Sequence, residues 1–363
     1  IDFEEGRLRT RITDLRSPNK TDEELRNEYG LRDNRDWHLS SAREQLRNDE
    51  DWERRFIKCL YRPFDWRWCY FSTVAMDYPR REILDHVAGH SNLSLNLVRQ
   101  TKMSAWRHAV ASNAPAPALY VELKDGSNLF PVYIYPDTKH QSTQLDFSEP
   151  AESSGPRPNL APEFIAELST ELTLMFIPHG PGDHEKTFGP EDIFNYAYAI
   201  FHSPAYRARY AEFLKIDFPR LPLTSDKKLF KALVKRGNEL VSLHLMESPL
   251  LDNPEAYPRF DIEGSNEVEK VRYMEPKPAA GETPATQGRV YINKEQYFEG
   301  IGPELWEFHI GGYQVLEKWL KDRKGRQLSF DDIHHYQKIA VALGETRRLM
   351  AEIDEIIPGW PVE

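Results

Sequence analysis

Three stretches collect side chains able to do chemistry. His179-Gly-Pro-Gly-Asp183-His184-Glu185 sets two imidazoles and two carboxylates in one glycine-rich segment. Neutral imidazole and carboxylate are ligands for divalent ions, so His179, Asp183 and His184 could serve a metal-dependent hydrolase. Their spacing matches no well-defined metal site, and a solvated Gly-Pro-Gly loop is the plainer account. The second stretch, Arg99 to His108, gathers Arg99, Gln100, Lys102, Trp106, Arg107 and His108. Arg and Gln pair bidentately with guanine and adenine edges in a major groove, and Arg and Lys also hold phosphates. A solvated loop would carry the same residues. The third stretch holds Lys318, Lys321, Arg323, Lys324 and Arg326. These could contact a nucleic-acid backbone or simply complement a helix C-terminus. His334 and His335 fall on a helical pattern, where neighbours point about 100° apart and share one ion poorly. The sequence has no glycine-rich phosphate loop, no GxSxG elbow and no HExxH pair.

The elements that must position these residues follow from periodicity. Charged residues 1–53 predict a helical connector, with capping boxes at Thr21–Glu24 and Ser41–Glu44 and a stop at Gly30. FIKCLYRPFDWRWCYFS predicts strands interrupted at Pro63, with Arg62 and Asp65 able to pair across that turn. Strands are further expected at 92–98, 118–123, 129–135, 268–274 and 290–292, with a hairpin turn at Asp125-Gly126. A short helix is expected at 79–87, and longer ones at 162–174, 190–201 and 225–247, with a restart at Ser203-Pro204. Residues 137–160 and 276–288 are rich in Pro, Gly and polar residues and are expected to be loops. The end of the chain, 310–357, predicts a helix, a basic turn at Gly325 and a long second helix capped by Ser329 and Asp332.

This adds up to an α+β fold. A mixed-sheet recognition lobe with short helices, 54–250, follows the connector 1–53. It leads into a strand, loop and helical segment, 251–363, that ends in a long antiparallel helix pair. The 363 residues are 40% apolar with 18 Phe, 17 Tyr and 8 Trp, which suffices for substantial cores. There is no apolar run long enough to span a bilayer, and no signal-peptide pattern. Cys59 and Cys69 have neither disulfide-framework nor zinc spacing, which suits a reducing, cytoplasmic setting. The net charge of −11 argues against a uniformly basic nucleic-acid binder. Between Arg54 and Arg107, however, ten Lys/Arg stand against four Asp/Glu, a net +6 that leaves −17 for the rest. A local basic face can attract phosphate on an acidic chain.

Three longer stretches carry a family resemblance. YRPFDWRWCYF with PRREIL and SNLSLNLVRQ resembles the start of the C-terminal specificity domain of Type ISP restriction-modification enzymes. EDIFNYAYAIFHSPAYRARYAEFLKIDFPRLPL resembles its middle, and the run from GRVYINKEQYFEG through IGGYQVLEKWLKDRKGR to LMAEID resembles its end. TDEELRNEYGLRD and WHLSSAREQL look like the connector that follows the methyltransferase domain in the same enzymes. The specificity regions of Type IIG enzymes are similar. The resemblance implies a piece of a longer polypeptide whose helicase-nuclease and adenine methyltransferase domains use ATP, Mg and S-adenosylmethionine. This chain has neither an NPPY-type nor a Walker A sequence and would bind none of these itself. Its expected partners are double-stranded DNA and those other domains, with no membrane. Base readers are expected in the irregular loops: 100–108, with Arg99, 124–128 and 252–289. Phosphate contacts are expected from Arg80, Arg81, Lys270, Arg272, Lys321 and Lys324. A metal-dependent hydrolase and a protein-interaction scaffold are the competing classes.

Overall fold

The computed structural model describes residues 1–76, 80–122, 124, 126–136, 155–275 and 288–362. Asp125 of the expected hairpin turn and most of the two expected loops lie outside them.

The connector forms α1 (Glu5–Arg16), α2 (Asp22–Tyr29) and α3 (Leu39–Arg47). Thr21 and Glu24 make the expected capping box, and Gly30 ends α2 at φ 64°. The second expected box is not there: α3 begins at Leu39, whose N–H donates to Asp33, so Ser41 lies inside the helix. Leu8, Ile12, Leu15, Leu25, Leu39 and Leu46 bury against Phe56 and Tyr70. These last two belong to an antiparallel hairpin, β1 (Phe56–Arg62) and β2 (Asp65–Tyr70). Phe64 takes φ 63° in its turn. Asp65 does not pair with Arg62. It receives Arg67 at 2.7 Å and Arg323 at 2.9 Å, and its side chain is 2% exposed. Arg62 instead lies over Tyr61 and Tyr313. Cys59 and Cys69 are buried free thiols, and the hydrogen bond with Cys69, then burial, pushes the Cys59 thiol up.

After α4 (Arg81–Leu84), β3 (Ser94–Leu97) is the centre of a three-stranded antiparallel sheet. Its neighbours are β4 (Ala109–Ser112) and β5 (Asn128–Pro131). The described part of the strand expected at 118–123 is a turn instead, with Ala118 and Leu119 exposed and Tyr120 and Val121 inside. All four residues of β4 are buried, so it lacks the polar–apolar alternation that would have marked it as a strand. β6 (Tyr133–Ile134) pairs with β7 (Arg157–Pro158), followed by α5 (Pro162–Leu172). β8 (Met175–Phe176) pairs with β9 (Thr187–Phe188).

The core of the molecule is helical. α6 (Pro190–His202) is buried at every position but Glu191, so it needs apolar partners all round. After α7 (Pro204–Arg209), restarted by Ser203 as expected, and α8 (Ala211–Leu214), α9 (Lys227–His244) lies across α6. Gly237 permits that crossing, because a Cβ there would stand 1.8 Å from the Asn195 carbonyl oxygen. β10 (Arg272–Met274), β11 (Gly288–Tyr291) and β12 (Tyr297–Ile301) form a second antiparallel sheet. α10 (Pro303–Trp306) precedes the hairpin of β13 (His309–Ile310) and β14 (Tyr313–Gln314), which leads into α11 (Val315–Lys321) and α12 (Phe330–Ile356). The first helix of the closing pair therefore starts at Val315. Gly311, at φ 55°, turns the preceding residues into a hairpin.

A directional hydrogen-bond chain locks the helices together. Ala111 N–H donates to the Tyr198 hydroxyl, leaving that O–H to donate to His244 Nδ1. His244 Nε2–H then donates to Thr346, whose hydroxyl donates to the Ala342 carbonyl. The chain works only with a neutral imidazole, and burial pushes His244 down to about 3. One apolar cluster runs from Leu60 to Val362 without a break at 250/251. No described helix is long and apolar enough to cross a membrane.

Candidate nucleic-acid interface

The segment from Arg99 to His108 leaves the end of β3 and returns as β4. Its side chains sort by burial. Arg99, Gln100, Lys102 and Arg107 are exposed, whereas Thr101, Trp106 and His108 are buried. Trp106 is 3% exposed and packs edge-on against Phe201, and His108 is fully buried. Neither ring can reach a base, so both are corrected from readers to supports.

The support is a compact polar knot. The Glu122 carboxylate accepts the Thr101 hydroxyl at 2.9 Å and stands 3.0 Å from His108 Nε2. His108 Nδ1 already accepts the Arg107 N–H, so Nε2 is the protonated nitrogen and donates to Glu122. Burial pushes this imidazole down to about 4, although Glu122 pulls the other way. Thr101 N–H also donates to the Lys215 carbonyl at 3.0 Å. The far side is held by the β13–β14 hairpin. Gly311 N–H donates to the Arg107 carbonyl at 2.7 Å, Gly312 N–H to Val121, and the Tyr313 hydroxyl to Leu119. A Cβ at Gly311 would stand 1.8 Å from the Val121 oxygen, so only glycine allows the hairpin this close. Glu122 escaped the sequence reading because its partners lie far along the chain; Gly311-Gly312-Tyr313 stands out there as a packing element, but inside an expected helix and not as a hairpin.

The expected phosphate contacts are spread over other elements. Arg80 and Arg81 are exposed around α4, and Arg81 pairs with Asp85 at 2.7 Å. Arg272 on β10 lies over the Tyr291 ring, and Lys270 just before it is exposed. The basic turn after α11 is mostly spoken for. Lys321 pairs with Glu317, Lys318 with Asp322, Arg326 with Glu4, and Arg323 is buried on Asp65. Lys324 is exposed and has no ion-pair partner among the described residues.

The metal candidates are committed elsewhere. The Asp183 carboxylate accepts three backbone N–H groups, from Glu185, Lys186 and Thr187, and these hold it well below the usual carboxylate range. His184 Nε2 stands 2.7 Å from Asp192, and His179 stacks on Tyr133. Among the described residues no group of three His, Cys, Asp or Glu is placed to hold a metal ion. The loop is held by its own backbone together with Asp192, Tyr133 and Lys231, and its residues do not fit a metal centre.

A family model described as the Type ISP C-terminal specificity domain matches residues 1–352. The chain belongs to this family. No curated protein matches it. Among solved structures it is similar to the ATP-dependent Type ISP restriction-modification enzyme LlaBIII bound to DNA, with a TM-score of 0.61 and 18% identity over 98% of this chain and 21% of that one. The DrdV–DNA complex superposes with a TM-score of 0.62 at 19% identity, covering 96% of this chain and 33% of that one. A nuclease-deletion mutant of the Type ISP enzyme LlaGI with a DNA substrate mimic gives 0.57 at 17%, covering 98% and 30%. At these identities the likeness shows the fold. This Type ISP specificity domain spans a fifth to a third of the length of the solved chains it matches.

Proposed function

We propose that this chain is the sequence-specific duplex-DNA recognition module of a restriction-modification enzyme. In that reading it selects the site at which other domains of the same polypeptide methylate adenine and cleave. The match of residues 1–352 to a specificity-domain family carries this reading. The structure of the 99–108 loop agrees with it in chemistry. Arg99, Gln100, Lys102 and Arg107 reach solvent from a backbone bonded at Thr101 and Arg107, which lowers the cost of ordering the loop on a duplex; Arg99, 3.5 Å from Asp217, would exchange that carboxylate for DNA. Catalysis, with its need for S-adenosylmethionine, ATP and Mg, would belong to the methyltransferase and helicase-nuclease parts, and the setting would be cytoplasmic. Arg80, Arg81, Lys270, Arg272 and Lys324, on other elements, are the proposed phosphate contacts. Lys321, engaged by Glu317, would have to exchange partners to join them.

A fluorescence-anisotropy titration of labelled duplex at several salt concentrations tests the role of the loop. Affinity should fall linearly in log–log form with salt, because each phosphate contact releases counterions. Arg99→Ala with Arg107→Ala should weaken binding by at least about tenfold. An unchanged affinity would take the loop out of the interface.

A further inference from the structure

Beside the loop lies a cleft of about 320 Å³ that Arg107 and Arg207 line together. Arg207 was not singled out by the sequence. It sits in α7, half-buried, with its guanidinium over the Trp106 ring. Its Nε donates to the Phe201 carbonyl at 2.6 Å, near the end of α6. That bond accounts for one of the five N–H donors of a guanidinium. The remaining four have no partner among the described residues, and no carboxylate comes within 4.0 Å of Arg207 there. Arg107 is likewise without an ion pair among the described residues, while its backbone is fixed by His108 and Gly311. The two cations also act on each other: Arg207 is pushed down to about 10, first by burial and then by the charge of Arg107.

Two like charges facing one cleft raise its positive potential and attract an anion into it. The neighbouring carboxylates do not join them at close range: Asp354 attracts Arg207 from beyond 4.0 Å and is itself bonded to Ser203 and the Ala205 N–H. Glu304 is held by Arg347 at 3.3 Å, and Glu307 lines the cleft without approaching either arginine to 4.0 Å among the described residues. The guanidinium fork matches a two-oxygen oxyanion such as a phosphodiester bidentately, which favours that chemistry over a halide.

We propose that Arg107 and Arg207 form a phosphate-binding pair in this cleft, and that it takes one backbone phosphodiester of the duplex beside the recognition loop. The proposal rests on the DNA-recognition reading and sharpens it. Arg107 becomes a contact that fixes register, and base reading falls to Arg99, Gln100 and Lys102.

The test is binding of the full chain to random-sequence duplex across a salt series, for wild type, Arg107→Gln and Arg207→Gln. Arg107 is exposed and makes no side-chain bond among the described residues, so Arg107→Gln leaves the fold intact even if Arg207→Gln does not. Each variant should lower the slope of log affinity against log salt by about 0.9. Because the pair shares one phosphate, the double variant should lose about the same and not twice as much. A slope unchanged in Arg107→Gln while wild type binds would overturn the pair. If wild type binds no duplex, the recognition reading itself fails, and the pair is then judged on inorganic phosphate. A phosphate-dependent rise in melting temperature that Arg107→Gln abolishes would sustain the pair with free phosphate as its ligand. No rise in wild type would end the proposal.

Discussion

At the scale of single residues, the 99–108 segment divides between side chains that face water and side chains that hold them there. Its composition announced the cations but not the division, because burial of Trp106 and His108 depends on Glu122 and Phe201 from other elements. The buried imidazoles make the module sensitive to acid. His108 is held near 4 and His244 near 3, both pushed down by burial, against about 6.5 in an unfolded chain. A base with a depressed folded pKa contributes stability that is complete above the unfolded value and drains away as pH falls towards the folded one. Each histidine should therefore cost about 1.4 kcal/mol of unfolding free energy per pH unit below 6.5. Urea unfolding at pH 7.5, 6.0 and 5.0 checks this before most carboxylates titrate. Equal stability at all three would mean that these imidazoles are not neutral and locked.

At the scale of elements, the sequence was clearest where local chemistry decides. Ser329 with Asp332 opens α12, Ser203 restarts the chain at Pro204, and Thr21 with Glu24 opens α2, all as the capping residues require. It was misleading where tertiary contact decides. Tyr313 shares a helical period with Leu316 and Trp319, yet it is a strand residue because Gly311 draws the hairpin onto Val121. β4 was invisible because every one of its residues is buried. Arg323 looked like part of a basic face and is instead the buried partner of Asp65, a pairing 258 residues apart. The same dependence on close approach makes Gly237 a sensitive point. Gly237→Ala should force α9 off the Asn195 carbonyl and cost on the order of 1–3 kcal/mol. Chemical denaturation would show this as a lower midpoint with native secondary structure retained. No loss of stability would mean that the α6–α9 crossing is looser than its geometry.

At the scale of the whole molecule, one continuous core joins the loop-bearing sheet, the α6–α9–α12 helices and the β13–β14 hairpin. The helical pair at the end of the chain, prominent in the sequence, serves as backing: α12 packs on α9 and α6, and the turn after α11 carries the arginine that pins the β1–β2 hairpin. The acidic net charge of −11 is compatible with DNA recognition, because the cations that matter are few and held in place. The account predicts selective binding and not mere adhesion to phosphate. The most direct measurement is to incubate the chain with a pool of random-sequence duplexes, recover the bound fraction and sequence it over successive rounds. Enrichment of a single sequence, its selectivity reduced by Arg99→Ala, is the predicted result. A bound pool that keeps the composition of the input would contradict the claim that this chain reads DNA sequence.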